Sequence, residues 1–524
     1  MKKYFSIFYI LFLSLTMYGE FKPIKEFPIS PYSGDIAVHN GKIYQVDILK
    51  DSIFIYDLRT GERKGRITTA GFSPYSLCFC NDTLVVSNND EIRFISYKGK
   101  IYRAIYSPTS SITGIAFDGK NIWVTGRDGK IYCISRNDGT TIKTLNGPGW
   151  RNNGLSFYKG YLWTTNRYRN EIYMICVRNG EVINVLPSPG PYPSGIEVID
   201  NKIYVSDFEM DSVYLFDIPY KDYIIKGKPE KARVTLYFRL INDGPGSINN
   251  VDVFIALPEN RENQLLLSKP AFEPSPSKIV VDQYNQKVAH YKFQNVKKGE
   301  KRTASVKVDA ELRSVSYFIV PERVGNLNDI PKEIKKRYLQ DKDRYMIKDP
   351  FIKNSVKRAI GRERNSYWIA KDIFNYVINH MEYELSGGWD IAPEVLKRGK
   401  GSCSEYSYVF ISMMRAAGIP TRYIGSVVER GDRASIDGVF HRWTEIYLPG
   451  YGWIPVDPSG GDSPIPRNRA LAFGHRSNGY LITTIGGGDS RYLDWSYNFN
   501  VRVRGYDSNA NFHIDRMAIW QPIK

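Results

Sequence analysis

The chain has little cysteine. Its five cysteines in 524 residues, at 78, 80, 133, 176 and 403, exclude a disulfide-stapled scaffold. No CxxC pair offers zinc-ligand spacing. Cys78 and Cys80 point the same way on one strand, a poor geometry for a disulfide. With Cys133 and Cys176 they read as core residues, which leaves Cys403 as the candidate free thiol. No Asp-x-Asp-x-Asp-Gly run supplies a calcium loop. No P-loop lysine follows the GGG at 486–488, so that stretch reads as a loop and not a phosphate cradle. Neither a metal nor a cofactor is expected. Acidic residues are the scarcer charge, 55 against 72 basic, for a formal net charge of +17. That balance favours anionic surfaces such as membranes or cell-wall polymers. No nucleic-acid recognition motif is present, so nucleic acid is not an expected partner. Long apolar runs are missing beyond Tyr4–Tyr18, which follow Lys2 and Lys3. Residues 1–19 therefore read as a secretory signal, with an uncleaved anchor as the alternative, since no Ala-x-Ala precedes Glu20. The chain is expected to be secreted, periplasmic or held at the cell envelope.

The chemistry-bearing residues lie late in the chain. In GKGSCSEYSYVFISMMRAAGIP, Ser402 and Glu405 form an S-x-x-E capping box, so a helix should begin there. Val409, Phe410, Met413, Met414 and Ala417 recur at three- and four-residue spacing and mark a buried face. Gly418 suits the C′ position, and Pro420 prevents continuation. Cys403 then occupies the first helical position, where unpaired N–H groups and the helix dipole favour a thiolate. The same N–H groups could hold an oxyanion.

HRWTEIYLPGYGWIPVDPS reads as two strands around a turn at Leu448-Pro449-Gly450, with Gly450 left-handed. His441, Trp443, Glu445 and Tyr447 share one face. Pairing Tyr447 with Tyr451 sets His441 opposite Asp457. A carboxylate on one ring nitrogen fixes the tautomer and frees the other to take a thiol proton. A slip of one residue would separate the pair.

Together these residues resemble the core of the transglutaminase-like superfamily, a papain-type Cys-His-Asp fold. The matching pieces are Leu396, Gly401 and Cys403; Arg415 to Pro420 with Arg422; His441, Trp443 and Glu445; and Gly452, Trp453, Pro455, Asp457 and Pro458. Ser459 stands where many members carry Thr. The resemblance implies Cys403 as nucleophile, His441 as general base and Asp457 as orienter. Trp389 or Tyr383, upstream of the cysteine, could supply a second oxyanion donor. The family's active members attack an amide carbonyl and form a thioester. Water as acceptor gives hydrolysis or deamidation, and a lysine amine gives a cross-link. Without a calcium loop, activation of the animal transglutaminase kind is not expected.

At 524 residues several domains are expected. Residues 20–220 hold five copies of a roughly forty-residue repeat, among them SGDIAVHNGKIYQVDILKDSIFIYDLRTGE and TGIAFDGKNIWVTGRDGKIYCISRNDGT. Four short strands per copy is the arithmetic of a β-propeller blade. The copies resemble the NHL and YVTN-type blades. Residues 21–29 are expected to supply the outer strand of the last blade. Asp47, Asn88, Arg127, Asn166 and Asp207 follow the second strands and either line one end or serve as ordinary turn residues. Residues 221–320 alternate apolar and polar residues, as in a small β-sandwich. Residues 321–524 are assigned to the α+β catalytic domain, with YLITTI and FNVRVRGYD expected to extend its sheet.

The expected molecule is a multidomain cysteine enzyme: an all-β propeller of about five blades, a β-sandwich and a papain-like domain. Its expected substrate is a peptide or protein amide, hydrolysed through a thioester. Glutamine–lysine cross-linking is the alternative within enzymes. A propeller-based binding scaffold with a silent triad, engaging an envelope protein or cell-wall partner, is the alternative outside them.

Overall fold

The computed structural model describes residues 21–69, 71–385, 389–431 and 434–523. The segment read as a signal, 1–19, lies outside the described residues. Among those described, no helix is long and apolar enough to cross a membrane.

The repeats form five four-stranded antiparallel sheets. Their first strands are Ser33–His39, Ser76–Cys80, Ile112–Phe117, Asn152–Tyr158 and Pro193–Ile199. Each lies beside the next, and the fifth returns to the first. Small residues permit that approach. A Cβ on Gly154 would sit 2.8 Å from Gly195 Cα, and one on Gly195 would sit 2.6 Å from Asp35 Oδ1. Lys25–Pro28 pairs with Ser212–Asp217 as the outer strand of the fifth sheet. Cys78, Cys80, Cys133 and Cys176 are free and buried in these sheets.

Two further antiparallel sheets enclose an apolar core that includes Val234, Leu236, Phe238, Val253, Tyr291, Val306, Phe499 and Trp520. Every second residue of Glu230–Asn242 from Val234 onward is buried, the period expected of strands with one covered face. The last two strands of the chain join these sheets. Phe499–Tyr506 pairs with Ile248–Ala256, and Phe512–Pro522 pairs with Glu230–Asn242. This corrects the expectation that FNVRVRGYD extends the catalytic sheet. YLITTI does extend it: Tyr480–Gly486 pairs with Thr421–Val428. Alternation shows that a segment is a strand but not which edge it completes.

The catalytic sheet runs Gly452–Val456, His441–Leu448, Thr421–Val428, Tyr480–Gly486. The helix Cys403–Ala416 packs against its middle strands and is flanked by helices Pro350–Ile360, Ser366–His380 and Ala392–Arg398. One continuous apolar core joins this unit to the ring of sheets through Trp163, Phe216, Phe318, Tyr367, Phe410 and Phe473. Polar ties reinforce the junction. Arg467 grips Glu171 with both arms, Nε–Oε2 being 2.6 Å, and the Asn184 amide exchanges two hydrogen bonds with the Ile319 backbone.

Candidate active site

The cysteine helix starts where the capping signal places it. Cys403 is its first residue, and Glu405 Oε2 accepts from the Ser402 N–H at 3.0 Å. At the other end Gly418 takes φ +88°. Its N–H donates to Arg415 O, and Ile419 N–H donates to Met414 O, the paired closure that a left-handed glycine allows. The helix is buried on all sides through Arg415, beyond the one face expected. Cys403 itself is 6% exposed.

His441 opens its strand and Asp457 follows directly after the next one. The hairpin register is Leu448 with Gly452 and Tyr447 with Trp453, two residues away from the expected pairing. The loop is Pro449-Gly450-Tyr451, with Gly450 at φ +88°. Because side chains alternate with period two, a two-residue slip preserves the face. Asp457 therefore still reaches His441, and Nε2 lies 2.7 Å from Oδ2. The other carboxylate oxygen accepts from Ser459 Oγ at 2.8 Å and Gly460 N–H at 2.9 Å. Ser459 thus supplies a hydroxyl donor to the carboxylate.

The electrostatics are those of a coupled pair. Burial opposes ionisation of Cys403. The His441 hydrogen bond and charge, the Arg442 backbone N–H and the Arg442 guanidinium outweigh it, and the thiol lies below its ordinary range. Burial likewise opposes the imidazolium, but Asp457 and Cys403 hold His441 well above its usual value. Asp457 stays below the ordinary carboxylate range despite burial, through His441, Gly460 and Ser459. A hydrogen-bonded chain of thiol, imidazole and carboxylate can support nucleophilic attack on a carbonyl.

The two upstream aromatics differ. The Trp389 ring lies 5.1 Å from the Arg442 guanidinium and 6.4 Å from Tyr497, and Tyr497 feels the Cys403 charge. Trp389 is therefore on the thiol side. Tyr383 N–H is engaged by Asp462 Oδ2 at 3.3 Å, and its ring leans on Tyr406.

Several matched motif residues serve architecture. Arg422 reaches Glu445 Oε2 at 2.6 Å and stacks on Trp453 at 3.9 Å. Arg415 donates to the carbonyls of Thr421, Gln340 and Gly487. Sequence reasoning missed Arg442, Tyr480 and Tyr497. An arginine inside an otherwise buried strand was the available signal. Tyr480 stands 5.7 Å from the His441 ring and lines a cleft with Trp443, Asp457, Asn468 and His475. Of the candidates at the second strands, Asp47, Asn166 and Asp207 are buried at the ends of their strands and accept hydrogen bonds from the turns that follow. Asp47 Oδ1 accepts from Leu49 and Lys50 N–H, Asn166 Oδ1 from Tyr168 N–H, and Asp207 Oδ1 from Glu209 and Met210 N–H.

Residues 354–458 match the transglutaminase-like superfamily and form a transglutaminase-like domain. An uncharacterized protein of Haemophilus influenzae is 30% identical over 246 residues, 40% of this chain and 64% of its own. Bacillus subtilis YebA, also uncharacterized, is 34% identical over 71 residues, 12% of this chain and 10% of its own. The chain thus spans less than two thirds of either relative. A candidate cysteine protease from Cytophaga hutchinsonii aligns in structure over 57% of this chain and all of its own, with 13% identity and a TM-score of 0.40.

Proposed function

We propose that this protein is a cysteine-dependent amide acyl-transfer enzyme acting at the cell envelope or outside the cell, with hydrolysis of peptide or protein amides as its reaction. We read the ring of five sheets as a five-bladed propeller and the paired sheets as a sandwich, both holding or presenting substrate. The observation that carries the proposal is the hydrogen-bonded line of Cys403, His441 and Asp457, with the thiol at a helix start. The transglutaminase-like match over residues 354–458 supports it.

In this reading the Cys403 thiolate attacks the amide carbonyl. The resulting oxyanion faces N–H groups at the start of the cysteine helix. The His441 imidazolium gives its proton to the leaving amine, the C–N bond breaks and a thioester remains. A water then attacks the thioester. His441 takes its proton, the acid is released and the thiolate returns. Asp457 holds the ring throughout. Trp389 is the better placed of the two upstream aromatics to help with the oxyanion.

Mass spectrometry of a mixed peptide digest, with Cys403→Ala as control, tests this. New termini made only by the wild type are the expected result. Loss of ammonia with mass joined to lysine would replace hydrolysis by cross-linking. Gains of a single dalton would replace it by deamidation. No change in any peptide would favour a binding scaffold.

A further inference from the structure

We infer that the cleft lined by Trp443, Asp457 and Arg476 is a binding site for one small anion, a carboxylate group or a free inorganic ion, held by the Arg476 guanidinium and the Trp443 indole N–H. The site goes beyond the amide chemistry proposed above and does not depend on it.

Positive charge is in excess around Arg476. Three guanidinium groups share the buried Glu445 carboxylate. Arg422 takes Oε2 with Nε at 2.9 Å and Nη2 at 2.6 Å. Arg476 reaches Oε1 with Nη1 at 3.5 Å, its one side-chain partner among the described residues. Arg261 feels the Glu445, Arg422 and Arg476 charges, and burial draws it down to about 10. The next carboxylates outward are open to solvent and already paired, Glu259 with Lys287 at 2.8 Å and Glu262 with Lys226 at 3.0 Å. Glu171, on the far side of His475, is taken by Arg467. Burial and the Arg467 and Arg476 charges push His475 itself down to about 4, so near neutral pH it adds no charge of its own.

Donors are also left over. Arg476 is 7% exposed and Trp443 3%. Neither the Arg476 Nε nor the Trp443 indole nitrogen has a hydrogen-bond partner. Both residues line one cleft with Asp457, His475 and Tyr480. Buried donors are nearly always paired, and a buried cation is costly without an anion. One anion on Arg476 and Trp443 answers both demands, and a guanidinium edge suits a carboxylate or phosphate oxygen. Asp457 shares the wall but is itself satisfied. His441 takes Oδ2 at 2.7 Å, and Ser459 and Gly460 donate to Oδ1. Glu429 stands outside the walls at the Gly479 turn, its Oε2 4.0 Å from where a Gly479 Cβ would lie. The Trp443 ring stacks on His441 at 5.8 Å, so the occupant and the catalytic imidazole touch the same indole.

The test is the melting temperature of the full-length protein with added sodium acetate and, separately, sodium phosphate, in wild type and Arg476→Gln. General salt effects cancel between the two proteins. A saturable rise in the wild type is expected, with binding weakened roughly tenfold or more in Arg476→Gln. Arg476→Lys should keep part of it. Trp443→Phe, which keeps a ring but not the N–H, should weaken binding a few-fold. Arg261→Gln, at a half-buried position, should also weaken it a few-fold, and it carries the test if Arg476→Gln does not fold. Calorimetric titration with acetyl-dialanine and with its C-terminal amide separates the sources. Acetyl-dialanine binding more tightly than acetate or phosphate makes the occupant the carboxylate end of a peptide. Phosphate binding more tightly makes it a free ion. Equal rises in wild type and the arginine variants, no rise in the wild type, or an amide that binds as tightly as the acid would overturn the proposal.

Discussion

Arg442 is the least ordinary charge in the catalytic half. It is fully buried, with Trp389, Tyr408, Tyr423 and Tyr497 around its guanidinium at 4.3 to 5.1 Å. Its Nη atoms donate to Tyr408 Oη and Trp495 O, and Nε has no partner among the described residues. A buried cation without an anion is costly, and its backbone N–H already touches the Cys403 sulfur. The thiolate completes the charge balance. Arg442→Met should therefore raise the thiol's titration midpoint and slow alkylation near pH 6. Arg442→Lys should restore much of the loss, which a purely structural role would not produce. The three triad residues were legible because each sits in a motif whose local structure is dictated by its own neighbours. Arg442 was not, because its importance arises from four aromatic rings spread from residue 389 to 497, which only the fold assembles.

At the level of elements, the approach to His441 depends on the end of the chain. Ser435–Asp437 pairs with Phe512–Pro522. The buried Asp437 then accepts from Val428 and Phe440 N–H and pairs with Arg430 at 3.0 Å. Asp437→Ala leaves those donors unsatisfied and takes one partner from Arg430, which still donates to Phe440 O at 3.0 Å. It should cost about 3 kcal/mol, seen as a lower denaturation midpoint, and should slow Cys403 alkylation through a misplaced His441. Strand identity was readable here from period-two alternation. Pairing was not, since Phe499–Tyr506 meets a strand some 250 residues earlier and alternation carries no address. The hairpin register was misread by two residues for a related reason. A turn of Pro449-Gly450-Tyr451 and a tighter turn ending at Gly450 satisfy the same local preferences, and the face of Asp457 survived because the error was even.

For the whole molecule, the shared core and the Glu171–Arg467 pair tie the ring of sheets to the catalytic unit. Glu171 is 4% exposed and Arg467 5%. Glu171→Ala strands a buried guanidinium and should cost about 3–5 kcal/mol. Because the core is continuous, calorimetry should show one transition moving to lower temperature, not a separate early melting of the ring. The forty-residue repeat made five sheets legible from sequence. Their seat against the catalytic unit was not, because the contacting residues lie on the fourth and fifth sheets and on helices that carry no matching pattern.

The central claim is an assembled thiolate–imidazolium pair. Cys403 lies below its ordinary range and His441 well above its own. The pair is then populated from the lowered thiol midpoint upward, until His441 loses its proton. Iodoacetamide alkylation of Cys403 across pH, in wild type and His441→Ala, measures this directly. The account predicts fast alkylation well below the ~8.5 of an ordinary thiol, abolished in His441→Ala. The same slow profile near ~8.5 in both proteins would contradict it.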